Sequence, residues 1–450
     1  MSVISPADSI FLVSESREHP THVGALQLFE LPDGADEHFV RDLHAKLLTY
    51  TNLSPTFRKR PADPVSSLGQ LWWTDDNDVD LEHHVRLAGL ARPGRIRELL
   101  EYVSRAHSVL LDRHRPLWEY HVIDGVEDNR FAVYAKMHHS LADGVSAMRM
   151  VAASLSASPN GDTAPLWANR VRVKPKPTPN SPVHVAEGLT NYVRAVVPST
   201  MSFGRILAGN VGRADARLPL PAPHSMFNVP ITGSRRFAGQ SWPLERLRAA
   251  AKKIGTRATI NDVLLAMCSG ALRRYLLSQN ALPSKPLIAA VPVSVRAGDS
   301  DGGNAIGYAL CNLGTHLPYP SDRMHTIITS MNKAKSTMAK QSKAQVQLMG
   351  ATLQSAQTML GALPGLGSIA PSVVNVVISN VPGPKEPLYM HGAQMLANYP
   401  LSIPLDYNAL NITAISYAGN LDIGIVGCRK AVPGLQRLLE HLEASLAELE

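Results

Sequence analysis

The hydrophobic pattern of the chain changes its period across residues 137–144, which read MHHSLADG. Before this stretch, alternate residues from 131 to 137 are apolar, which is typical of a strand with one buried face. After it, apolar residues recur at helical spacing from 145 to 155. The pattern therefore predicts a strand, a loop that carries two adjacent histidines, and a helix. A loop held between a strand and a helix can aim a side chain at a substrate.

The two histidines, His138 and His139, are the candidate catalytic groups of this loop. A histidine is the usual general base for a hydroxyl or amine nucleophile, provided that its tautomer and orientation are fixed. Asp143 can fix them, directly or by pairing with an arginine, or it can cap the helix, and Gly144 permits a tight turn. Neighbouring residues on an extended chain point to opposite faces, so only one histidine is expected to face the site. The pattern alone does not say which.

Other kinds of chemistry fit the sequence less well. Histidine and aspartate are metal ligands, but side chains on opposite faces rarely bind one ion, and only scattered acids follow the other histidine pair, His83-His84. The chain has neither a Gly-x-Ser-x-Gly elbow nor a cysteine beside a histidine motif. We therefore expect direct attack by an acceptor hydroxyl rather than a covalent acyl-enzyme, and no metal.

The length of 450 residues exceeds what one compact core usually holds, so two domains or two related halves are expected. Hydrophobic residues make up 45% of the chain and charged residues 18%, which indicates a globular protein. Cys268, Cys311 and Cys428 are far apart, which predicts a reducing compartment without a disulfide framework. Residues 1–8 do not resemble a signal peptide, and there is no apolar run of about 18 residues. A cytoplasmic location is therefore expected.

Residues 161–225 differ in composition from the rest and are predicted to link a first domain, 1–160, to a second, 226–450. Between 168 and 220 there are eight basic residues and two acidic ones, whereas the whole chain has a formal net charge of +7. Such a segment is either a solvated linker or a contact with an anionic membrane surface. No motif or aromatic interleaving indicates nucleic-acid binding.

Strands and helices are interspersed in both halves, which predicts α/β or α+β layers. In the first half we expect a helix over 95–112 and a hairpin that turns at 124–125. In the second half we expect a helix over 260–278 that Asn261 caps, with Asp262 in its first turn. The further expected elements are strands at 21–29, 118–123, 131–137, 286–295 and 373–381, a hairpin of 410–417 with 421–428, and helices at 39–48 and 435–449.

No charged residue occurs from 344 to 384. Glutamines and prolines interrupt this stretch, so it is not expected to form a helix that spans a membrane. We expect a buried helix followed by a buried strand, the wall of an apolar substrate pocket, or both.

The motif HHxxxDG at 138–144 resembles the signature of the CoA-dependent acyltransferase superfamily, which includes chloramphenicol acetyltransferase and condensation domains. Over essentially its whole length, the chain is similar to the bacterial bifunctional wax ester synthase/diacylglycerol acyltransferases. The other motifs that carry the resemblance are, in the family's order, Ser5-Pro6-x-Asp8, His22-Val23-Gly24, Pro116-Leu117-Trp118-Glu119, Asn261-Asp262-Val263, Pro292-Val293-Ser294-Val295-Arg296, Gly303-Asn304 and Ser379-Asn380-Val381-Pro382-Gly383-Pro384.

The resemblance implies two chloramphenicol-acetyltransferase-like α/β domains, joined by a crossover linker, with an active-site channel between them. It implies that His139 is the general base and that His138 supports the site. Asp143 is expected to point away from the substrate and to pair with an arginine of the second half, for which Arg296 is the candidate. Half of such a buried charge pair would be costly to remove, at roughly 3–5 kcal/mol.

Donors to the oxyanion are expected among the backbone N–H groups near Gly144 and the side chain of Asn261. A structural role is the alternative for Asn261 and Asp262, because asparagine and aspartate are common where a helix begins.

The implied reaction moves a long-chain acyl group from acyl-CoA to the hydroxyl of a fatty alcohol or a diacylglycerol, without a cofactor, in storage-lipid synthesis. Because those acceptors are lipids, the enzyme is expected at the cytoplasmic face of a membrane or at a lipid-droplet surface, where the basic linker would hold it. The alternatives are another enzyme of the superfamily, such as an amide-forming condensation enzyme, and a non-catalytic lipid-coat protein. The sequence leaves the preferred acceptor and the oligomeric state open.

Overall fold

The computed structural model describes residues 2–4, 6–62, 72–142, 144–168, 222–254, 258–294, 306–339 and 372–450. Several features predicted above lie outside these ranges: Asp143, Arg296, the linker from 169 to 221, and the uncharged stretch up to 371. What the sequence predicts for them stays a prediction.

The first half contains the strand and the helix expected on either side of the histidine motif. In chain order, its elements are β1 (Ser2–Val3), α1 (Pro6–Ser14), β2 (His22–Glu30), α2 (Phe39–Leu48), α3 (Pro55–Arg58), β3 (Lys59–Pro61), β4 (Trp72–Asp75), α4 (Leu81–His84), β5 (Val85–Gly89), α5 (Ile96–Ala106), β6 (Trp118–Val126), β7 (Arg130–His138) and α6 (Gly144–Ala153).

The second half begins with a strand followed by a helix, an order that β2 and α2 also have in the first half. Its elements are β8 (Arg235–Pro243), α7 (Leu244–Ile254), α8 (Ile260–Ser278), β9 (Ile288–Ser294), β10 (Ile306–Asn312), α9 (Pro320–Ala339), β11 (Val376–Val381), β12 (Tyr389–Met390), β13 (Ala393–Leu401), β14 (Leu410–Tyr417), β15 (Asn420–Cys428) and α10 (Arg437–Ala447).

The strand that carries the histidine motif lies inside a six-stranded sheet, in the order β12-β13-β2-β7-β6-β5. β7 is antiparallel to both of its neighbours, β2 and β6. Its apolar residues alternate as predicted. Phe131, Val133, Ala135 and Met137 belong to one apolar cluster. Ala132 and Tyr134 belong to another, on the side of the sheet that α5 covers.

The hairpin of β6 and β7 turns at 127–129, not at 124–125 as predicted. Asp128 and Asn129 have φ angles of 61° and 55°. These two residue types tolerate that conformation because their short polar side chains bond locally. The register of the two strands shifts at 124–125, so the predicted turn is a bulge within the hairpin.

Helix α5 ends at Ala106, six residues before the predicted end at 112. The carbonyl oxygens of Ala106 and Val109 accept hydrogen bonds from the Lys136 side chain, each at 3.1 Å. These carbonyl oxygens accept from the buried Lys136 ammonium group instead of from the N–H groups of a longer helix. The amphipathic pattern does not reveal this, because the lysine lies about 30 residues away in sequence.

The second sheet also has six strands, in the order β10-β9-β11-β14-β15-β8. Its main apolar cluster includes α8, which lies against α10 and is buried over most of its length. The predicted cap of α8 is wrong by two residues. Thr259 occupies the N-cap and forms a reciprocal pair of hydrogen bonds with Asp262, whereas Asn261 lies inside the first turn.

The two halves repeat one arrangement. In the first, β7 lies between β2 and β6, and β6 is parallel to β5. In the second, β15 lies between β8 and β14, and β14 is parallel to β11. This confirms the predicted mixed α/β fold of two similar parts. The boundaries at 160 and 226 stay a prediction, but β12 and β13 of the second half complete the first sheet.

Two smaller predictions concern cysteines and membrane spans. Cys268, Cys311 and Cys428 are buried thiols without disulfide partners. Within the described ranges, no helix has the length and apolar character needed to cross a bilayer.

Candidate active site

The two histidines of the motif have different surroundings. His138 ends β7, and its side chain is wholly enclosed. His139 is half-buried, and its ring stacks on Phe11 with centroids 4.1 Å apart. The N–H of His139 donates to the carbonyl oxygen of Thr21 at 3.0 Å, which extends the pairing of β7 with β2 by one residue. The two rings therefore differ in enclosure and in contacts, and that they face apart stays a prediction.

Both ring nitrogens of His138 have protein partners. The N–H of Ser140 donates to Nδ1 at 3.1 Å, and the Ser140 hydroxyl lies 2.6 Å from the same atom. An N–H group can only donate, so Nδ1 accepts and the proton of the neutral ring resides on Nε2. Nε2 lies 2.9 Å from the Thr21 hydroxyl, to which it donates. The ring of His138 is thus enclosed and held at both nitrogens.

The carboxylate of Glu15, a residue outside the HHxxxDG motif, lies beside His138. Oε1 of Glu15 is 3.6 Å from Nε2 of His138 and accepts from the N–H of Thr21 at 3.1 Å. Its Oε2 accepts from Nε and Nη2 of Arg113 at 3.2 and 3.1 Å. Burial alone would raise the pKa of Glu15, but the hydrogen bonds that His138 and the N–H of Thr21 donate, together with the charge of Arg113, lower it overall. The group is therefore an anion in the fold.

Sequence reasoning did not find Glu15, Thr21 or Arg113. Glu15 lies in a polar stretch after α1, where an acid is unremarkable. Arg113 is one of three basic residues between 113 and 115. The only available signal is position: Thr21 precedes the His22-Val23-Gly24 motif, and Arg113 precedes Pro116-Leu117-Trp118 by three residues.

A second charged cluster lies along the same face of the sheet. Nζ of Lys136, two residues before His138, is 2.9 Å from Oε2 of Glu119 on β6. His121 lies 3.1 Å from the same carboxylate, and Arg86 lies 3.1 Å from its other oxygen. Burial alone would raise the pKa of Glu119, but His121 and Lys136 hold it at about 2. Glu119 is therefore an anion at neutral pH, while burial lowers the pKa of Lys136 and the charge of Glu119 opposes that shift.

The supporting residues predicted from sequence lie in several places. Gly144 is exposed at the start of α6, and a Cβ atom there would meet no described atom within 4 Å. Asp262 lies in the first turn of α8, where it bonds to the N-cap Thr259. Oδ1 of Asn261 lies 3.4 Å from Nδ2 of Asn380, so the Asn261-Asp262-Val263 and Ser379–Pro384 motifs meet. Asp143 and Arg296 lie outside the described residues.

Packing accounts for the Pro116-Leu117-Trp118 motif. Leu117 and Trp118 are buried, and the carbonyl oxygen of Leu117 accepts from the N–H of His138 at 3.0 Å. The ring of Trp118 contacts Phe57 and Trp167. These residues pack beside the end of β7, the strand that carries the histidine motif. In the part of the chain that the structure describes, no three His, Cys, Asp or Glu side chains gather as metal ligands.

The segment between α1 and β2 contacts both halves of the molecule. Nε2 of His19 lies 2.8 Å from Oδ2 of Asp406. The carbonyl oxygen of Glu18 accepts from Nη2 of Arg235 on β8 at 2.9 Å. The hydrogen bond from Arg235 thus joins the segment that places Glu15 beside His138 to the second half.

Two family models match the chain. The model of the wax ester synthase/diacylglycerol acyltransferase catalytic domain matches residues 4–264. The model of the C-terminal domain of the same family matches residues 302–450. The chain is also similar to a putative diacylglycerol O-acyltransferase of Mycobacterium tuberculosis, with 48% identity over 449 residues, which cover 99% of each chain.

Solved structures show the same relationship. A wax ester synthase/diacylglycerol acyltransferase from Marinobacter aquaeolei VT8 matches with a TM-score of 0.80 and 40% identity, over 100% of this chain and 99% of that one. The starter condensation domain of rhizomide synthetase, solved with C8-CoA, matches with a TM-score of 0.56 and 13% identity, over 100% and 93%. At that identity the second match shows the fold alone, and it agrees with the predicted superfamily architecture.

Proposed function

Because this chain belongs to the wax ester synthase/diacylglycerol acyltransferase family, and is therefore an O-acyltransferase, we propose that it transfers a long-chain acyl group from acyl-CoA to the hydroxyl of a fatty alcohol or a diacylglycerol. His139 is the general base of this reaction. The observation that carries the assignment is the contrast between the two motif histidines: His138 is enclosed and bonded at both nitrogens, whereas His139 is half-buried.

The reaction proceeds by direct attack. His139 takes the proton of the acceptor hydroxyl while the oxygen attacks the thioester carbonyl. The tetrahedral intermediate collapses, the C–S bond breaks, and the imidazolium returns its proton to the departing CoA thiolate. No electron changes hands and the leaving group is stable, so the step needs no cofactor beyond the acyl-CoA donor.

Release of CoA thiol from palmitoyl-CoA tests the proposal, with hexadecanol and dipalmitoylglycerol as separate acceptors. His139→Ala should lower kcat by about 100-fold or more, because a positioned base contributes about that much. His114→Ala is the matched control, since His114 is an exposed histidine of the same half and should leave the rate unchanged. Full thiol release by His139→Ala would remove the base assignment.

We further propose that Asp143 pairs with Arg296 and braces the catalytic loop against the second half. Asp143→Asn and Arg296→Gln should each lower the thermal midpoint, because each leaves one buried charge without its partner. The double variant should recover part of the loss. Additive losses in the double variant would contradict the pairing.

We also place the enzyme at the cytoplasmic face of a membrane or at a lipid-droplet surface. Its proposed acceptors are lipids, and residues 168–220 carry the excess positive charge that an anionic surface attracts. Flotation with vesicles that contain anionic lipid should recover the protein, and reversal of the eight basic charges should abolish recovery. Unchanged flotation of the charge-reversed variant would contradict this placement.

A further inference from the structure

Glu15 is an ion in an unusual place. It lies just after the end of α1, yet its carboxylate is turned inward and only 1% of the side chain is exposed. Burial of a carboxylate is unfavourable because the ion loses its hydration, unless hydrogen bonds and opposite charges compensate for that loss. Arg113 occupies one oxygen, and Thr21 and His138 occupy the other. An ion pair that served only to tie down a surface segment would gain little from such burial.

The contacts form a continuous chain from the carboxylate to the catalytic loop. The hydroxyl of Thr21 lies 3.3 Å from Oε1 of Glu15 and accepts from Nε2 of His138 at 2.9 Å. On the other side of the ring, Nδ1 of His138 accepts from the N–H of Ser140 at 3.1 Å. The ring of His138 therefore holds the backbone on the far side of His139 in a fixed position.

Thr21 and Phe11 connect the same cluster directly to His139. The carbonyl oxygen of Thr21 accepts from the N–H of His139 at 3.0 Å. The Thr21 hydroxyl also lies 3.0 Å from the carbonyl oxygen of Phe11, whose ring stacks on His139. Thr21 thus contacts the supports of His139 through its backbone and its side chain.

We propose that Glu15 and Thr21 are positioning residues of the acyltransferase site: they fix the tautomer and place of His138, and through it the orientation of the His139 imidazole. The proposal rests on the proposed function, since it presumes that His139 is the base. Glu15 touches no substrate. A base displaced by about 1 Å loses on the order of 100-fold in rate. Loss of this chain should therefore reduce kcat and leave substrate binding largely intact.

A purely structural role makes a different prediction. The segment 15–21 has further contacts, because His19 lies 2.8 Å from Asp406 and the carbonyl oxygen of Glu18 accepts from Arg235. If Glu15 only secured this segment, its removal would change the thermal midpoint and leave the kinetics of the folded enzyme as they are. The split between kcat and KM separates the two roles.

The test uses the full-length enzyme with palmitoyl-CoA and hexadecanol. Thr21→Val keeps the shape of the buried side chain and removes its hydroxyl, and Thr21→Ser keeps the hydroxyl. Glu15→Gln removes the charge, and Glu18→Gln is the control, because Glu18 is exposed and only its carbonyl oxygen is used. We expect Thr21→Val and Glu15→Gln to lower kcat by about 10- to 100-fold, with KM within about twofold. Thr21→Ser and Glu18→Gln should stay within about threefold of wild-type kcat.

Wild-type kcat in Thr21→Val and Glu15→Gln, together with an inactive His139→Ala, would overturn this inference and leave the proposed function standing. Thr21→Ser as slow as Thr21→Val would overturn it too, because the hydroxyl would then not matter. An active His139→Ala would instead overturn the assignment of the base. If Glu15→Gln does not fold, the two Thr21 variants decide the question.

Discussion

Each half of the molecule contains the same hairpin and helix, and the two differ at the end of the second strand. β6, β7 and α6 form the unit in the first half, and β14, β15 and α10 form it in the second. β7 and β15 both have nine residues and both lie between antiparallel neighbours. β7 ends at His138, whereas β15 ends at Cys428, a buried thiol.

The residues along the two strands differ in the same way. Lys136 and His138 of β7 are enclosed with Glu119 and Glu15. When the ends of the two strands are aligned, Val426 and Cys428 of β15 take the places of Lys136 and His138, and both are buried. One architecture thus accommodates either charged or uncharged side chains at these positions. Buried apolar side chains stabilise the end of β15. The buried charges at the end of β7 stabilise the fold only while each keeps its partner.

The first prediction tests the dependence of the first half on paired ions. Lys136→Met leaves Glu119 buried without its nearest cation and should lower the free energy of unfolding by about 3 kcal/mol, measured by urea titration. Arg86 and His121 remain as partners and limit the loss. Adding Glu119→Gln should recover part of it. An unchanged free energy of unfolding in Lys136→Met would show that Glu119 does not depend on Lys136 as its partner.

The second prediction concerns Asp422, a buried acid of β15 in the second half. Burial raises its pKa to about 7, although bonds from Ser241 and Asn398 oppose the rise. The unfolded carboxyl group loses its proton near pH 4, so the native state binds more protons between about pH 4 and 7. The protonated Asp422 is therefore tolerated in the fold below about pH 4. The free energy of unfolding decreases as the pH rises to about 7, because the native state must then bury a charge or keep a proton that the unfolded state has lost.

Relative to Asp422→Asn, the free energy of unfolding of the wild type should fall between pH 4 and 7, by up to about 1.4 kcal/mol per pH unit. Urea titration of both proteins at four pH values measures this difference. A constant difference would mean that Asp422 titrates alike in the folded and unfolded states.

The third prediction is a pH dependence of opposite sign in the first half. Burial, followed by the charges of Lys136 and Arg235, lowers the pKa of His107 to about 3. The unfolded imidazole binds a proton near pH 6.5, so the native state binds fewer protons between about pH 3 and 6.5. Relative to His107→Gln, wild-type stability should rise across this window. A falling difference would contradict the neutral state of the buried ring.

The smallest expected effect lies in the apolar cluster. Ile425→Val removes one buried methylene group and should lower the free energy of unfolding by about 1 kcal/mol. Its kcat with palmitoyl-CoA and hexadecanol should equal that of the wild type, because Ile425 only packs the second half. A reduced kcat at unchanged stability would show that the two halves are coupled in catalysis.

Much of the fold follows from local pattern. The change of period around the motif predicts β7 and α6, and the alternation of β7 predicts its apolar face. Helix α2 has the predicted bounds, 39–48. The errors lie at ends and turns, where one hydrogen bond decides. Thr259 rather than Asn261 caps α8, and Lys136 takes the carbonyl groups on which a longer α5 would have depended.

The sequence by itself determined the place of the histidine motif between a strand and a helix, because that depends on hydrophobic periodicity over a few residues. Only the tertiary structure decided which histidine is enclosed, and that Glu15, Thr21 and Arg113 are its supports. Glu15 and His138 are 123 positions apart in the chain, and local periodicity carries no information over that distance. The same reason applies to β12 and β13, whose place in the first sheet depends on the packing of the whole chain.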